Sequence, residues 1–241
     1  MSINMSINMS INIQYTSYKN YLSCSEWTFL IENYIEKIKN TRVGSILINN
    51  INDYINCGNT INIINYSSNK SFQYPSMSYV QRNSKHHVTI CIPDTPYFTK
   101  VPIMSPYLEQ LKNTNDLLAK LYSFNEVNSK IEDDFVKSFA IYEFQPIVVV
   151  LFHELVHALR KFKGVYSDHL EEEATMYGIE GVTLKIDNIC ITENTFRKEL
   201  GLNPRLSHDA LFLHVEGTHD KIENKSKEFW KDAFSQNKLK I

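Results

Sequence analysis

The spacing of apolar residues predicts one helix and three short strands in the N-terminal part of this 241-residue chain. Apolar side chains recur every three or four positions over residues 25–39, which predicts an amphipathic helix. Residues 45–51 and 60–66 are short Ile-rich runs separated by Asn, Asp and Gly, a pattern typical of two strands joined by a turn. The run from His87 to Ile92 is the clearest strand. For this strand we favour an interior place in the sheet over an edge, at which it could hold an extended peptide.

Helical patterns dominate the rest of the chain. Residues 108–124 predict a second helix, and residues 146–163 predict the most apolar one. Pro146 suits the first turn of that helix, where an N–H would be unpaired in any case, and Gly164 suits its C-terminal cap. A strand-rich N-terminal half followed by a helical C-terminal half predicts an α+β fold.

Composition places the chain among ordinary globular proteins. Hydrophobic residues make up 43% of it and the formal net charge is −2, so its charge does not favour nucleic acid as a partner. The four cysteines are scattered without a Cys-x-x-Cys pair, which predicts a reduced chain in the cytoplasm and argues against a cysteine zinc cluster. No apolar stretch approaches the ~20 residues that span a bilayer, so no transmembrane segment is predicted.

The N-terminus repeats Met1-Ser2-Ile3-Asn4 nearly three times before Tyr15. It lacks the basic region and the continuous apolar core of a cleavable secretory signal. We therefore predict a low-complexity, disordered tail over residues 1–14 and a single domain over residues 15–241, which we expect to be a monomer.

The candidate chemistry lies on the predicted helix 146–163, which carries His153-Glu154-Leu155-Val156-His157. Residues four apart lie on one face of a helix, so the two imidazoles can converge on one metal ion. Glu154 projects from the neighbouring face, where it can take a proton from water. This is the H-E-x-x-H pattern of metallohydrolases. The plainer alternative is a solvated helix with two histidines, but the apolar run 147–152 predicts burial, and buried polar groups need partners.

A catalytic zinc site uses three protein ligands and keeps one open position. The extended pattern H-E-x-x-H-x-x-G-x-x-H is excluded, because Arg160 and Lys163 stand where it requires Gly and His. A glutamate from the next helix is the alternative source of the third ligand.

Three consecutive glutamates follow at residues 171–173. Asp168 has the spacing of an N-cap whose capping-box partner is Glu171. Glu172 shares its face with Thr175, Met176 and Ile179, the side expected to pack inward. We therefore predict Glu172 as the third ligand of one Zn²⁺ per chain, with Glu173 as the reserve candidate. A solvated first helical turn is the alternative for the three glutamates together.

The residues around this motif resemble a known family. Leu151 to Leu159, a glycine a few residues later and a Glu-Glu pair before Gly178 look like the NleD-like bacterial effector metallopeptidases, and more distantly like the clostridial neurotoxin light chains. The similarity continues through Thr192 to Arg197 and Leu202 to Arg205, so it covers residues 140–210. It implies a zincin-type fold, in which a small mixed sheet of the N-terminal half packs on the active-site helix and the C-terminal half is mainly helical.

The resemblance also implies a function and two further site residues. It implies a zinc endopeptidase that cuts a protein or peptide substrate, with Glu154 as general base, and that is cytoplasmic or exported into a host cell. In the family an Arg, followed three positions on by Tyr, supports the oxyanion; Arg205 matches that Arg, whereas His208 stands in the Tyr position. Because of His208, a weakly active or inactive binding protein with the peptidase fold is the alternative function.

Overall fold

The computed structural model describes residues 11–15, 22–65, 79–82, 84, 86–92, 99–104, 140–167, 170–205 and 211–212. In these ranges the α+β prediction is confirmed, because helices pack on a small sheet that is largely parallel. The predicted helix over residues 108–124 lies outside them. Within the same ranges, none of the helices combines the length and the apolarity needed to cross a membrane.

The main sheet has four strands in the order β1-β2-β4-β3. Their bounds are β1 Ile11–Gln14, β2 Thr60–Asn65, β3 Tyr79–Arg82 and β4 His87–Ile92. The first, second and fourth are parallel, while β3 runs antiparallel to β4. The interior position predicted for β4 is therefore confirmed. Residues 11–14 were predicted as part of the disordered tail, but they form β1, because the alternating Ile and Asn residues place Ile11 in the core and Asn12 opposite Asn62.

Two helices, α1 (Cys24–Lys39) and α2 (Arg42–Asn56), separate the first two strands of the chain. The predicted helix 25–39 is confirmed, and Ser23 and Glu26 close a capping box at its start. The predicted strand over residues 45–51 is wrong, because these residues lie within α2. The helix buries an apolar stripe at the spacing of helical turns (Val43, Leu47, Ile48, Ile51, Ile55), and Thr41 caps its N-terminus.

The central helix α3 (Ile147–Lys163) packs against α1, α2 and the sheet. The predicted helix is confirmed, but it begins one residue later than predicted, because Pro146 is its N-cap residue rather than its first helical residue. Gly164 ends the helix with a φ of 70°, in the left-handed region that favours glycine. Fourteen of its seventeen residues are buried, so this helix has no solvated face along most of its length. Every polar group in its middle turns must therefore find a partner inside the protein.

The chain after α3 supplies those partners. It forms α4 (Glu171–Met176), a hairpin of β7 (Lys185–Ile186) and β8 (Ile189–Cys190), and α5 (Glu193–Glu199). Strands β5 (Thr99–Met104), β6 (Ala140–Phe144) and β9 (Leu211–Phe212) form a second, antiparallel sheet. The rings of Phe152 and Phe196 stack with centroids 4.1 Å apart, which fixes α5 against the part of α3 that carries His153.

Candidate metal centre

The two histidines of the H-E-x-x-H motif lie on successive turns of α3 and point to the same place. Their side chains are only 6% exposed, and the two Nε2 atoms lie 2.9 Å apart. The predicted convergence of the two imidazoles is therefore present in the structure. Because α3 is buried on both sides of the motif, neither ring can turn out into solvent without disrupting the core.

Glu172 brings a carboxylate oxygen to the same point. Its Oε2 lies 3.0 Å from Nε2 of His153 and 3.3 Å from Nε2 of His157. In a tetrahedral zinc site with bonds of about 2.0–2.1 Å, the ligand atoms are separated by about 3.3 Å, close to these distances. Among the described residues, His153, His157 and Glu172 are the one group of His, Cys, Asp or Glu residues whose ligand atoms converge closely enough to hold a metal ion.

Each imidazole is held from behind by a second carboxylate. Nδ1 of His153 lies 2.9 Å from Oε2 of Glu193, and Nδ1 of His157 lies 2.8 Å from Oε1 of Glu171. An ionised carboxylate only accepts hydrogen bonds, so each Nδ1 carries the proton and donates it. In the neutral imidazoles, both Nε2 atoms then present lone pairs. This is the arrangement in which histidine binds metal, with its other nitrogen donating to a carboxylate.

Three lone-pair donors that meet at one buried point require a cation between them. In the metal-free protein that cation is a proton, so the pKa values of both histidines are raised and that of Glu172 is lowered. Burial lowers the pKa of His153, but its hydrogen bonds to Glu172 and Glu193 outweigh burial and raise the pKa to about 10. Burial lowers the pKa of His157, but its hydrogen bonds to Glu171 and Glu172 outweigh burial and raise this pKa. Burial raises the pKa of Glu172, but the two imidazoles outweigh it and hold this pKa well below its usual range. A divalent ion satisfies the same three groups, so the donor set fits zinc.

Glu193 also connects the candidate centre to two arginines. Its carboxylate is fully buried, and it accepts hydrogen bonds from Nη1 of Arg205 at 3.1 Å, Nη1 of Arg197 at 3.4 Å and Nε2 of Gln145 at 3.2 Å. Although burial raises the pKa of Glu193, the nearby cations and His153 lower it to about 2. The carboxylate therefore stays ionised and orients His153. Arg205, predicted as an oxyanion residue, contacts the carboxylate behind the imidazole.

Glu171 has the corresponding position behind His157. Its Oε1 accepts from Nε of Arg160 at 2.8 Å, and its Oε2 accepts from the backbone N–H of Ser167 at 2.9 Å. The predicted capping box placed Glu171 in the third position of its helix, but α4 begins at Glu171 and Leu170 is its N-cap residue. The capping role is wrong because burial beside His157 and Arg160 fixes this side chain. Asp168 lies outside the described residues.

The other predicted site residues divide into three cases. Glu154 is buried on α3 beside His153 in the chain, and its charge is among the causes that raise the pKa of both imidazoles. Glu173, the reserve candidate, is not part of the converging group. His208 lies outside the described residues.

Sequence reasoning missed Glu193 as the partner of His153. The available signal was weak: Glu193 and Arg197 are four residues apart, the spacing of a helical ion pair, just after the helix-capping residue Thr192. The same spacing is common on solvated helices, so it does not by itself indicate burial.

Comparison with protein-family models finds no match, and no curated protein or solved structure is significantly similar to this chain. The resemblance to the NleD-like metallopeptidases therefore remains a prediction drawn from the motif residues.

Proposed function

We propose that this protein is a zinc-dependent endopeptidase that hydrolyses a protein or peptide substrate. The observation that carries the proposal is the convergence of His153, His157 and Glu172, whose ligand atoms all lie within 4.8 Å of one another. The carboxylate behind each imidazole also supports the proposal, because metal-binding histidines usually donate their other N–H to such a group, whereas a histidine pair that binds no metal does not require two buried acids. Glu154 supplies the general base that the H-E-x-x-H pattern predicts.

His153, His157 and Glu172 would hold the ion. A bound zinc ion is a Lewis acid that lowers the pKa of water toward about 7 and polarises a carbonyl group. Glu154 accepts a proton as the water oxygen attacks the scissile carbonyl carbon, and it donates this proton to the leaving amine as the C–N bond breaks. Glu193 and Glu171 keep both imidazoles in the tautomer whose Nε2 is free to bind metal.

The site also has a route to solvent. The side chain of Glu172 is 40% exposed, whereas those of the two histidines are 6% exposed. The centre is therefore buried on its helix side and open on the side of α4. We propose that a peptide chain approaches the centre from that side.

The experiment that tests the proposal compares the wild-type protein with Glu154→Gln. We expect both proteins to contain about one zinc per chain by elemental mass spectrometry, because Glu154 is not a ligand. We expect wild type to cleave members of a random peptide library. Glu154→Gln should cleave the same peptides roughly 10²- to 10⁴-fold more slowly, since this is the usual contribution of a general base. Glu173→Gln is the matched control, since it removes a nearby charge outside the converging group.

Two results would contradict the proposal. Wild-type protein without zinc, even after incubation with the metal, would mean that the histidine pair is structural. Zinc-loaded protein that binds library peptides but does not cleave them would favour the alternative of a binding protein with the peptidase fold.

A further inference from the structure

In the part of the chain that the structure describes, most of the exposed large apolar side chains lie in the segment between α3 and α4. Among the described residues, four such side chains are exposed, and three of them lie between α3 and α4: Val165 at 44%, Tyr166 at 39% and Leu170 at 36%. Single exposed apolar residues are normal on protein surfaces, whereas a cluster of them marks a binding surface. We call these three residues the apolar patch.

The backbone that carries the patch is held from below by buried polar groups. The N–H of Val165 donates to the carbonyl of Arg160 at 3.1 Å, and Nη2 of Arg160 donates to the carbonyl of Val165 at 3.0 Å. The N–H of Ser167 donates to Glu171 at 2.9 Å. The backbone at residues 165–167 is therefore held in place, while the side chains of Val165 and Tyr166 are exposed. A surface ordered before binding loses little conformational entropy when a ligand arrives.

The patch borders the candidate metal centre. The ring centroid of Tyr166 lies 6.3 Å from that of His157, and Leu170 directly precedes α4, which carries Glu172. Nζ of Lys161 lies over the Tyr166 ring at 4.6 Å from its centroid, which restricts how this ring can turn. Glu172, the exposed member of the centre, follows Leu170 by two residues, so both Tyr166 and Leu170 adjoin residues of the centre.

We infer that Val165, Tyr166 and Leu170 form a substrate subsite that receives an apolar side chain, aliphatic or aromatic, of a residue close to the scissile bond. This inference rests on the proposed endopeptidase function and adds the substrate class. The binding energy comes from removing apolar surface of both partners from water. In such a subsite, a small difference in side-chain size changes kcat/KM by roughly 10- to 200-fold.

The test is the cleavage profile of a peptide library, read by mass spectrometry for wild type, Tyr166→Ala and Tyr166→Phe. We expect wild type to prefer peptides with a large aliphatic or aromatic residue, rather than alanine, at one position beside the scissile bond. Tyr166→Ala should lower kcat/KM for the preferred peptides about tenfold or more, with much less effect on peptides with alanine there. Tyr166→Phe should keep the preference, because it keeps the ring. Phe29→Ala removes an exposed ring from α1 and is the matched control.

The double variant Val165→Ser/Leu170→Ser gives an independent test if Tyr166→Ala does not fold. Zinc content and circular dichroism of each variant confirm that the centre and the fold persist. If wild type cleaves peptides and neither Tyr166→Ala nor the double variant changes its cleavage profile, the subsite inference is overturned while the proposed function stands. Equal losses in Tyr166→Phe and Tyr166→Ala would also overturn it, since the hydroxyl would then be responsible. A wild-type protein that cleaves nothing would instead refute the proposed function, and the inference with it.

Discussion

At the scale of single residues, the candidate centre depends on four carboxylates with separate tasks. Glu172 points to the Nε2 atoms, while Glu193 and Glu171 accept from the Nδ1 atoms. Glu154 is buried on the same helix as the histidines. In the proposed function these carboxylates are a ligand, two orienting groups and a general base, which differ in what they contact, so single substitutions should separate them.

Removing the two neighbouring glutamates of α4 one at a time should give opposite results. We expect Glu172→Ala to lose tight zinc binding, because it removes one of three ligand atoms. Glu173→Ala should bind zinc like wild type, since its side chain is outside the converging group. Competition with a chromophoric chelator measures both affinities. Equal losses in the two variants would contradict the assignment of Glu172, rather than Glu173, as the ligand.

Neutralising Glu193 should weaken zinc binding without removing a ligand. In Glu193→Gln the side-chain oxygen can still accept from Nδ1 of His153, but the charge that favours this tautomer is lost. We expect zinc affinity to fall about 10- to 100-fold, the usual cost of losing a carboxylate behind a metal-bound histidine. The same chelator competition measures it, with circular dichroism to confirm folding because Arg197 and Arg205 lose a charged partner. Unchanged affinity would mean that packing alone orients the imidazole.

At the scale of elements, the helices around α3 are held by caps that join distant parts of the chain. Both carboxylate oxygens of Glu199, at the end of α5, accept from the backbone N–H of Val43 in the first turn of α2, at 3.2 and 3.1 Å. The negative charge suits the positive end of the α2 dipole. The element that supplies Glu193 is thereby tied at its other end to α2.

The junction of α1 and α2 leaves no room for a side chain at Gly44. A Cβ atom on this residue would overlap the backbone carbonyl of Ile38 at the end of α1. We expect Gly44→Ala to destabilise the protein by about 1–3 kcal/mol, as overpacking does, despite the higher helix propensity of alanine. Urea denaturation measures the change. Ser45→Ala, one position on in α2, is the control and should differ little from wild type; equal stability of the two variants would mean that the helices separate without cost.

At the scale of the whole molecule, the buried charges of the centre link stability to pH. The pKa of Glu193 falls from 4.5 to about 2, so its contribution to stability is complete above pH 4.5 and is lost as the pH falls toward 2. The pKa of His153 rises from 6.5 to about 10, so its contribution is complete below pH 6.5 and is lost as the pH rises toward 10. The metal-free protein should therefore be most stable between these limits.

Zinc should reverse the pH dependence of the free energy of unfolding near and above neutral pH. Metal binds the deprotonated imidazoles, so it competes with protons and stabilises the fold more as the pH rises. We expect metal-free protein to lose stability from pH 6.5 to 9, and zinc-loaded protein to gain it from about pH 5.5 to 7.5. Urea unfolding across this range, with and without zinc, measures the free energy of unfolding. Parallel pH profiles in the two series would show that zinc does not bind at the histidine pair.

Local sequence determined the elements whose signals lie within a few residues of one another. The period of apolar residues set α1 and α3, Pro146 and Gly164 set the ends of α3, and the four-residue spacing of His153 and His157 placed both imidazoles on one face. The face predicted for Glu172 does bring its carboxylate to the two imidazoles, although Glu171, and not Glu172, is the buried glutamate of the three. These predictions succeeded because helical geometry alone fixes which side chains share a face.

Two predictions failed where local preference and pattern disagreed. The Ile-rich run 45–51 has the β-branched residues typical of a strand, but its apolar positions follow the turns of a helix that packs on α1 and α3. The repeats near the N-terminus have the low complexity typical of disorder, yet Ile11 and Ile13 pair with β2. In both cases contacts with other elements outweighed the local propensity.

Only the tertiary structure decided which groups support the histidines and where the apolar patch lies. His153 and Glu193 are 40 residues apart, and the buried charges of Glu171 and Arg160 become partners only when α3 and α4 pack together. The three-residue spacing of Asp168 and Glu171 is that of a capping box, so the sequence predicted a capping role for Glu171. Which polar residues are buried depends on how the elements pack together, so residue spacing along the chain does not predict it.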